Sequence, residues 1–412
     1  VPSTATVLTA SNPLDGQSLA DATGAFLFDF TPKAADNTVT VTPSADFPTD
    51  GLSRDERSLA RHLQRVWDGD HPETMAKGFA ALAGVTAADD YAATLDRLAS
   101  RQVGAIATAR METSRLFVAN MQSCPVFEGS GLMLAETDCA WGRAITAHLD
   151  HDGSDGAAGF DNDATLLQFG GQRAIGDDLF LAGSVAWENA RLKDDFGASA
   201  DGDSWMAGLG VKYQSGPLLA SATVDLGYGD FDTTRSFAVG SETYRATGAP
   251  DARNAGIHGR VAYELPYERF YLRPSLDLDA SWIGLEGYDE KGAGDLDLAV
   301  DDSDSWVLSA MPAVEIGTRV DLADGTVLRP FANVGSRFVS GNDWTVDASF
   351  RTAPDSAGSF SSEVDNPNAV ATFGAGVTVM TRGNLDVTAQ YQGAFADGYT
   401  AQSGALKATW RF

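Results

Sequence analysis

From Phe270 to Trp282 the chain alternates without a break. Phe270, Leu272, Pro274, Leu276, Leu278, Ala280 and Trp282 fall on one face of an extended strand, and Tyr271, Arg273, Ser275, Asp277, Asp279 and Ser281 fall on the other. Successive side chains of a strand point to opposite faces, so this segment has one greasy and one wet surface. Soluble strands run to about 5–6 residues, whereas a tilted strand needs about 9–11 to cross a bilayer. Thirteen residues of alternation meet the second requirement.

The pattern recurs at 218–228, 306–316, 328–334, 371–379 and 385–391, and more weakly at about 140–150, 163–174, 179–190, 203–213, 252–264 and 402–412. That makes twelve strands, an even number, as bacterial outer-membrane barrels require. Gly176-Asp177-Asp178, Ser215-Gly216-Pro217, Pro266-Tyr267-Glu268, Ala323-Asp324-Gly325 and Arg382-Gly383-Asn384 read as tight turns. Between them lie long connections at about 151–162, 191–202, 231–251, 284–304 and 341–367; the last, Ala396 to Thr400, is short. Short turns at one end and long loops at the other are the topology of a membrane barrel, which a soluble sandwich has no need of. Trp187, Trp205, Tyr228, Trp282, Trp306, Tyr391 and Trp410 sit near strand ends on the apolar face, where interfacial girdles belong.

The first 121 residues differ. Residues 1–50 hold two short β-like runs, Gly24 to Phe30 and Asn37 to Thr42. Ser53 with Glu56 has capping-box spacing, and helical patterns follow through Leu59, Leu63 and Val66, near Met75 to Leu82, from Ala87 to Leu98, and from about 103 to 121. The last carries Arg110, Glu112, Thr113, Ser114 and Arg115 at its centre, so it belongs in water or a polar channel. The sequence starts at Val1 without a basic, apolar leader and reads as a fragment or processed form, its export signal lying outside it.

Acidic residues outnumber basic ones by 57 to 29, which argues against a nucleic-acid partner. Cys124 and Cys139 flank Pro125, Gly129 and Gly131, so the chain can double back; in an oxidising periplasm a disulfide there contributes about 3 kcal/mol. There is no Gly-x-Ser-x-Gly elbow, no His-Glu-x-x-His and no phosphate loop. His148 and His151 point to opposite faces of a strand. The stretch Asp150-His151-Asp152-Gly153-Ser154-Asp155-Gly156 departs from the calcium-loop pattern, with Ser154 and Asp155 in the positions of an acidic ligand and the glycine; it and Asp301-Asp302-Ser303-Asp304 are expected to be solvated loops rather than specific metal sites.

At this point the sequence resembles the autotransporter translocator (β-domain) family of type V secretion. Leu406, Ala408, Trp410 and Phe412 alternate to a terminal aromatic, similar to the signal read by the barrel assembly machinery, with Trp410 where Tyr is usual. Glu112-Thr113-Ser114-Arg115-Leu116-Phe117 resembles the segment that enters the barrel, and Asp55 to Ala60 and Asp96 to Ser100 resemble its helical lead-in. The resemblance covers about residues 50–412. It implies a 12-stranded antiparallel outer-membrane β-barrel with an N-terminal α-helical segment running into the pore. Residues 1–50 would be the end of a passenger, 51–123 a helical linker with a pore helix at about 103–121, and 124–412 the barrel. The implied partners are the chain's own N-terminal passenger, the assembly machinery and periplasmic chaperones, and outer-membrane lipid and lipopolysaccharide; the implied state is a monomer with no cofactor and no catalysis. Self-cleaving members cut at paired asparagines in the pore helix; here only Asn120 is present, followed by Met121, so self-release is not expected.

Physical logic adds candidate contacts. A barrel of twelve strands admits a helix or an extended chain but not a folded domain. Arg110, Glu112 and Arg115 on the pore helix are candidate partners for wall residues Arg273, Asp277, Asp279, Glu315, Arg319, Arg329, Arg337 and Asp386, each of which is otherwise a solvated wall group. Two other functions compete: a stand-alone porin or adhesin-type barrel, which has no use for the helix, and a surface enzyme, which requires a catalytic constellation in the loops.

Overall fold

The computed structural model describes residues 4–10, 22–99, 102–121, 124–127, 131–153 and 159–412. Ser100, Gly129, Ser154, Asp155 and Gly156, named above, lie outside these residues, as does the side chain of Asn120.

Twelve antiparallel strands form one closed sheet: β1 (Cys139–His151), β2 (Phe160–Ala174), β3 (Leu179–Asp194), β4 (Ala198–Ser215), β5 (Leu218–Val239), β6 (Asp251–Tyr263), β7 (Phe270–Leu285), β8 (Ser303–Thr318), β9 (Val327–Ser340), β10 (Ala369–Met380), β11 (Leu385–Ala396) and β12 (Tyr399–Arg411). Each pairs with the next, and β12 pairs with β1 from Tyr399↔His151 to Arg411↔Cys139, so the cylinder has no open edge. Closure is what allows a sheet to stand in lipid, because every backbone donor and acceptor finds a partner within the sheet.

Along most strands the apolar face points outward; β1 is the exception, with Trp141, Ile145 and Leu149 buried. Leu226, Leu278, Leu209 and Val334 are more than half exposed, while Tyr271, Asp277 and Ser281 on the opposite face of β7 are buried. Cross-strand register places Trp187 beside Trp205, Trp205 beside Tyr228, and Trp282 beside Trp306, a band of aromatics toward one end. Tyr213, Tyr263, Tyr267, Trp410 and Phe412 are exposed toward the other end.

Beyond the upper aromatic band the polarity of the wall inverts. Along β5 the outward residues change from Val224, Leu226 and Tyr228 to Asp230 and Asp232, while the inward ones change from Thr223 and Asp225 to Phe231, Phe237 and Val239. The strand has left lipid and become an ordinary soluble strand, with water outside and a dry core within. This inversion corrects two of the long connections expected from the sequence. The segment 191–202 is continuous strand around a turn at 195–197, and 231–251 is the end of β5 paired with a strand at Glu242–Gly248. A period-two pattern whose greasy face switches sides no longer reads as a membrane strand.

The projecting strands hold a cap. Segments Tyr288–Asp289, Leu298–Val300, Trp344–Phe350 and Phe360–Val364 form a small sheet. Helices α1 (Arg54–Asp68), α2 (Ala76–Leu82) and α3 (Ala88–Leu98) pack among them. The capping box of α1 is present: Ser53 N–H donates to Glu56 at 2.5 Å and Glu56 N–H to Ser53 Oγ at 3.3 Å. Leu59, Leu63 and Val66 are fully buried, and His62 is sandwiched near the rings of Phe350 and Phe360. A four-stranded sheet built from 5–9, 38–45, 28–35 and 22–25 contributes Phe28 to an aromatic cluster with Phe47, Trp67 and Phe79. The run Gly24 to Phe30, read from the sequence as one strand, is therefore broken by a turn at 26–27.

Candidate functional site

Helix α4 (Gln102–Met121) runs down the barrel from the cap toward the short-turn end. Gly104 at its start lies against Val364 and Trp344 of the cap, and Phe117 and Met121 at its end approach Gly208 of β4. Its apolar residues form no stripe, and from Gln102 to Arg110 every residue is buried. A helix buried on all sides needs no amphipathic face. Close approach is paid for by glycine in the wall: a Cβ on Gly227 would stand 3.0 Å from an Arg110 Nη2, and one on Gly208 would stand 2.9 Å from the Phe117 ring. No helix among the described residues is long and apolar enough to cross a membrane unaided.

The polar centre of α4 meets two groups on the wall. On one side Arg110 is ion-paired with Glu188 of β3 and donates to Asn254 Oδ1 of β6 at 2.8 Å. Thr113 Oγ1 donates to the same Glu188 at 2.7 Å, and Ser114 Oγ to Asp225 of β5 at 3.2 Å. Asp225 also accepts from Asn254 at 2.9 Å and lies 2.7 Å from His258 Nε2, whose Nδ1 lies 2.8 Å from Asp279. Ser309 Oγ completes the chain by donating to Asp279 at 2.7 Å. On the other side Glu112 accepts two hydrogen bonds from Arg337 of β9, at 2.7 and 3.1 Å, and one from Arg115 at 2.7 Å. A cavity of about 170 Å³ borders this second group.

Of the eight wall residues named from the sequence, Arg337 bonds directly to α4, and Asp279 reaches it through His258 and Asp225. Asp277 pairs with Arg260 at 2.5 Å, Glu315 with Arg329 at 2.6 Å, and Asp386 with Arg411 at 2.8 Å, all nearer the short-turn end. Arg273 lies opposite Glu315 in register. Arg319 sits at the mouth, with Asp321 at 2.9 Å and its guanidinium over the Phe127 ring. The sequence reading missed Glu188, Asn254 and His258. All three occupy inward positions of alternating strands, but nothing in their spacing sets their height against the helix.

Below α4 the chain forms a small hairpin, Pro125–Phe127 with Leu134–Glu136, before entering β1. Cys124 and Cys139 are joined by a disulfide across it, with Cα atoms 6.5 Å apart. Glu136 is held by Lys212 Nζ at 3.1 Å and Gln172 Nε2 at 2.8 Å. His151 points inward and stacks on Phe160, whereas His148 points outward and bonds Asp163 at 2.9 Å. His148, Asp150 and Asp161 bring ligand atoms within 4.8 Å of one another on the outer rim, an exposed acidic patch.

The arrangement is a polar pore filled by a helix whose start and finish lie at opposite mouths. Among solved structures, the translocator domain of the autotransporter NalP from Neisseria meningitidis is similar, with a TM-score of 0.58 over 75% of this chain and 97% of that one, at 16% identity, a likeness of fold. Esterase EstA of Pseudomonas aeruginosa and esterase EstA of Pseudomonas putida are each 33% identical over 162 residues, 37% of this chain; the match spans a quarter of their own length. The family model described as autotransporter beta-domain matches residues 140–392. With that match across most of the barrel, the chain belongs to the autotransporter β-domain family, and its barrel is an outer-membrane translocator domain.

Proposed function

We propose that α4 is the tether left in the pore after residues preceding it have been exported, that residues 1–50 belong to the end of the exported passenger, and that this region performs no catalysis of its own. One observation carries the reading. Cys139 and Phe412, the two ends of the barrel, lie at the short-turn mouth, while helices α1 to α3 and the start of α4 pack at the opposite mouth. The polypeptide therefore runs through the barrel once, from one mouth to the other. EstA is named an esterase; any comparable chemistry here would belong to a passenger ahead of residue 50 and not to the barrel.

The remaining partners follow from surfaces. Leu406, Trp410 and Phe412 are each more than half exposed on the last strand, where the assembly machinery and chaperones would read them. Asp161, Asp163, Asp201, Asp203, Asp230 and Asp232 face outward just above the aromatic band, at the depth where divalent cations bridge to lipopolysaccharide. Closure without an unpaired edge fits a monomer.

The test is topology in intact cells. An epitope placed before residue 50 is expected to be cleaved by external protease, and one in the Ala323-Asp324-Gly325 turn is expected to be protected. Protection of the first epitope in cells whose barrel is folded, judged by heat-modifiable gel mobility, would reverse the reading in favour of a stand-alone porin.

A further inference from the structure

Beneath the helix, toward the periplasmic mouth, lies a second cavity of about 210 Å³. Its charge is opposite to that of the chain, which carries a net -28. Arg143, Arg260, Arg273, Arg329, Lys407 and Arg411 line it, against three carboxylates, Asp277, Glu315 and Asp386. Those carboxylates are already engaged by Arg260, Arg329 and Arg411 respectively. At the border, Glu136 is taken by Lys212 and Glu264 accepts from Leu134 N–H at 2.7 Å. Even with these included, cations outnumber acids among the described residues.

Arg143 is the decisive residue. It is 5% exposed, its Nε has no hydrogen-bond partner among the described residues, and its neighbours in register are Gln168 on β2 and Lys407 on β12. A buried guanidinium beside a second cation is costly unless an anion joins it. The planar fork of arginine matches the oxygens of carboxylate and phosphate. A cavity of this size has room for such a guest with water around it.

We propose that this chamber binds a small free oxyanion, of the phosphate or carboxylate class, entering from the periplasm and held by Arg143, with Arg273 reaching the same cavity from β7. The proposal is independent of the export reading, and its failure leaves that reading in place.

Calorimetric titration of inorganic phosphate into the detergent-solubilised full chain, in low-chloride buffer, tests it. Saturable binding is expected. Arg143→Gln should weaken it about tenfold or more, as for loss of a charge-assisted contact, and the Arg143→Gln/Arg273→Gln double variant should abolish it. Arg253→Gln, on the outer surface, should leave it unchanged. Heat-modifiable mobility reports whether each variant is folded. Should Arg143→Gln fail to fold, thermal unfolding of the unaltered chain decides: phosphate must raise the midpoint above that in chloride at equal ionic strength. Absence of both saturable heat and that rise, or equal binding by folded Arg143→Gln, overturns the proposal.

Discussion

Replacing Arg110 by Met should loosen the helix in the pore more than loss of any other polar side chain along α4. The Arg110 and Glu188 side chains are each about 2% exposed, and Glu188 otherwise accepts from Thr113. Removing one member of such a buried pair strands the other charge, at a cost of about 3–5 kcal/mol. Since about 1.4 kcal/mol is a factor of ten, the population with the helix displaced should rise by roughly two to three and a half orders of magnitude. Replacing both partners by apolar groups of similar size is often near neutral, so Arg110→Met/Glu188→Met should recover most of the loss. Glu112→Gln should cost less, because Glu112, Arg115 and Arg337 are 9–13% exposed beside a cavity that can admit water. The assay is single-channel recording in planar bilayers with the full chain, counting openings per unit time. Frequent openings in Arg110→Met, few in the double variant and intermediate behaviour in Glu112→Gln are expected. A quiet Arg110→Met, or a double variant as leaky as the sum of its singles, would refute the assignment of this pair as the principal anchor.

Leu278 faces lipid at mid-strand and Tyr267 sits at an interface, so Leu278→Arg should destabilise the barrel by about 2–4 kcal/mol and Tyr267→Arg by about 0–1, measured by urea unfolding in lipid vesicles. Reducing the Cys124–Cys139 bond should cost the folded state about 3 kcal/mol and expose the hairpin at the periplasmic mouth to protease while leaving heat-modifiable mobility intact. Burial between aromatic rings pushes His62 down to about 4. A histidine whose folded-state value is depressed contributes stability that is complete above its unfolded value of about 6.5 and is lost as pH falls toward 4, at most about 3 kcal/mol. Trypsin sensitivity of residues 51–99 should therefore rise between pH 6.5 and 4, and His62→Leu should flatten that dependence. Because Trp410 and Phe412 are about two-thirds exposed, deleting Phe412 should lower the yield of assembled barrel in cells yet barely move its unfolding midpoint once folded.

Most of the barrel was legible because period two is a strong signal wherever lipid lies on one side and water on the other. Leu276 and Leu278 against Asp277 and Asp279 cannot be arranged in any other way. The signal failed where that boundary ends. At Asp201 and Asp232 the outward face turns acidic, so the sequence suggested loops where β4 and β5 continue. Alternation tells which side a residue faces but not how high it stands. Glu315, Arg329 and Asp386 lie below the helix and pair among the wall strands, and Arg273 stands opposite Glu315 at the same depth. Glu188 meets Arg110 across 78 residues of sequence because the registers of two successive strand pairs, β1–β2 and β2–β3, add up to bring them level. No local pattern encodes that sum.

The polar wall serves two states that make opposite demands. An exported chain must slide past, so no wall group can hold a passing segment strongly; the finished molecule must hold one helix for good. The structure separates these demands by register. Glu188, Asp225 and Arg337 become strong anchors only when Arg110, Thr113, Ser114 and Glu112 arrive together, spaced by helical turns onto β3, β5 and β9. A single charge on an extended chain meets one wall group in a hydrated pore and gains little, as exposed ion pairs do at about 0–1 kcal/mol. A helix that fills the lumen expels the water, and the same pair then resists separation by several kcal/mol. Retention thus depends on folding of α4 in place: a proline at Ala109, which removes a helical hydrogen bond at a cost of about 3 kcal/mol, should release the plug even though every charged partner remains. Openings as rare in Ala109→Pro as in the unaltered chain would mean that the charges hold an unfolded segment equally well, and the distinction between transit and retention would have to lie elsewhere.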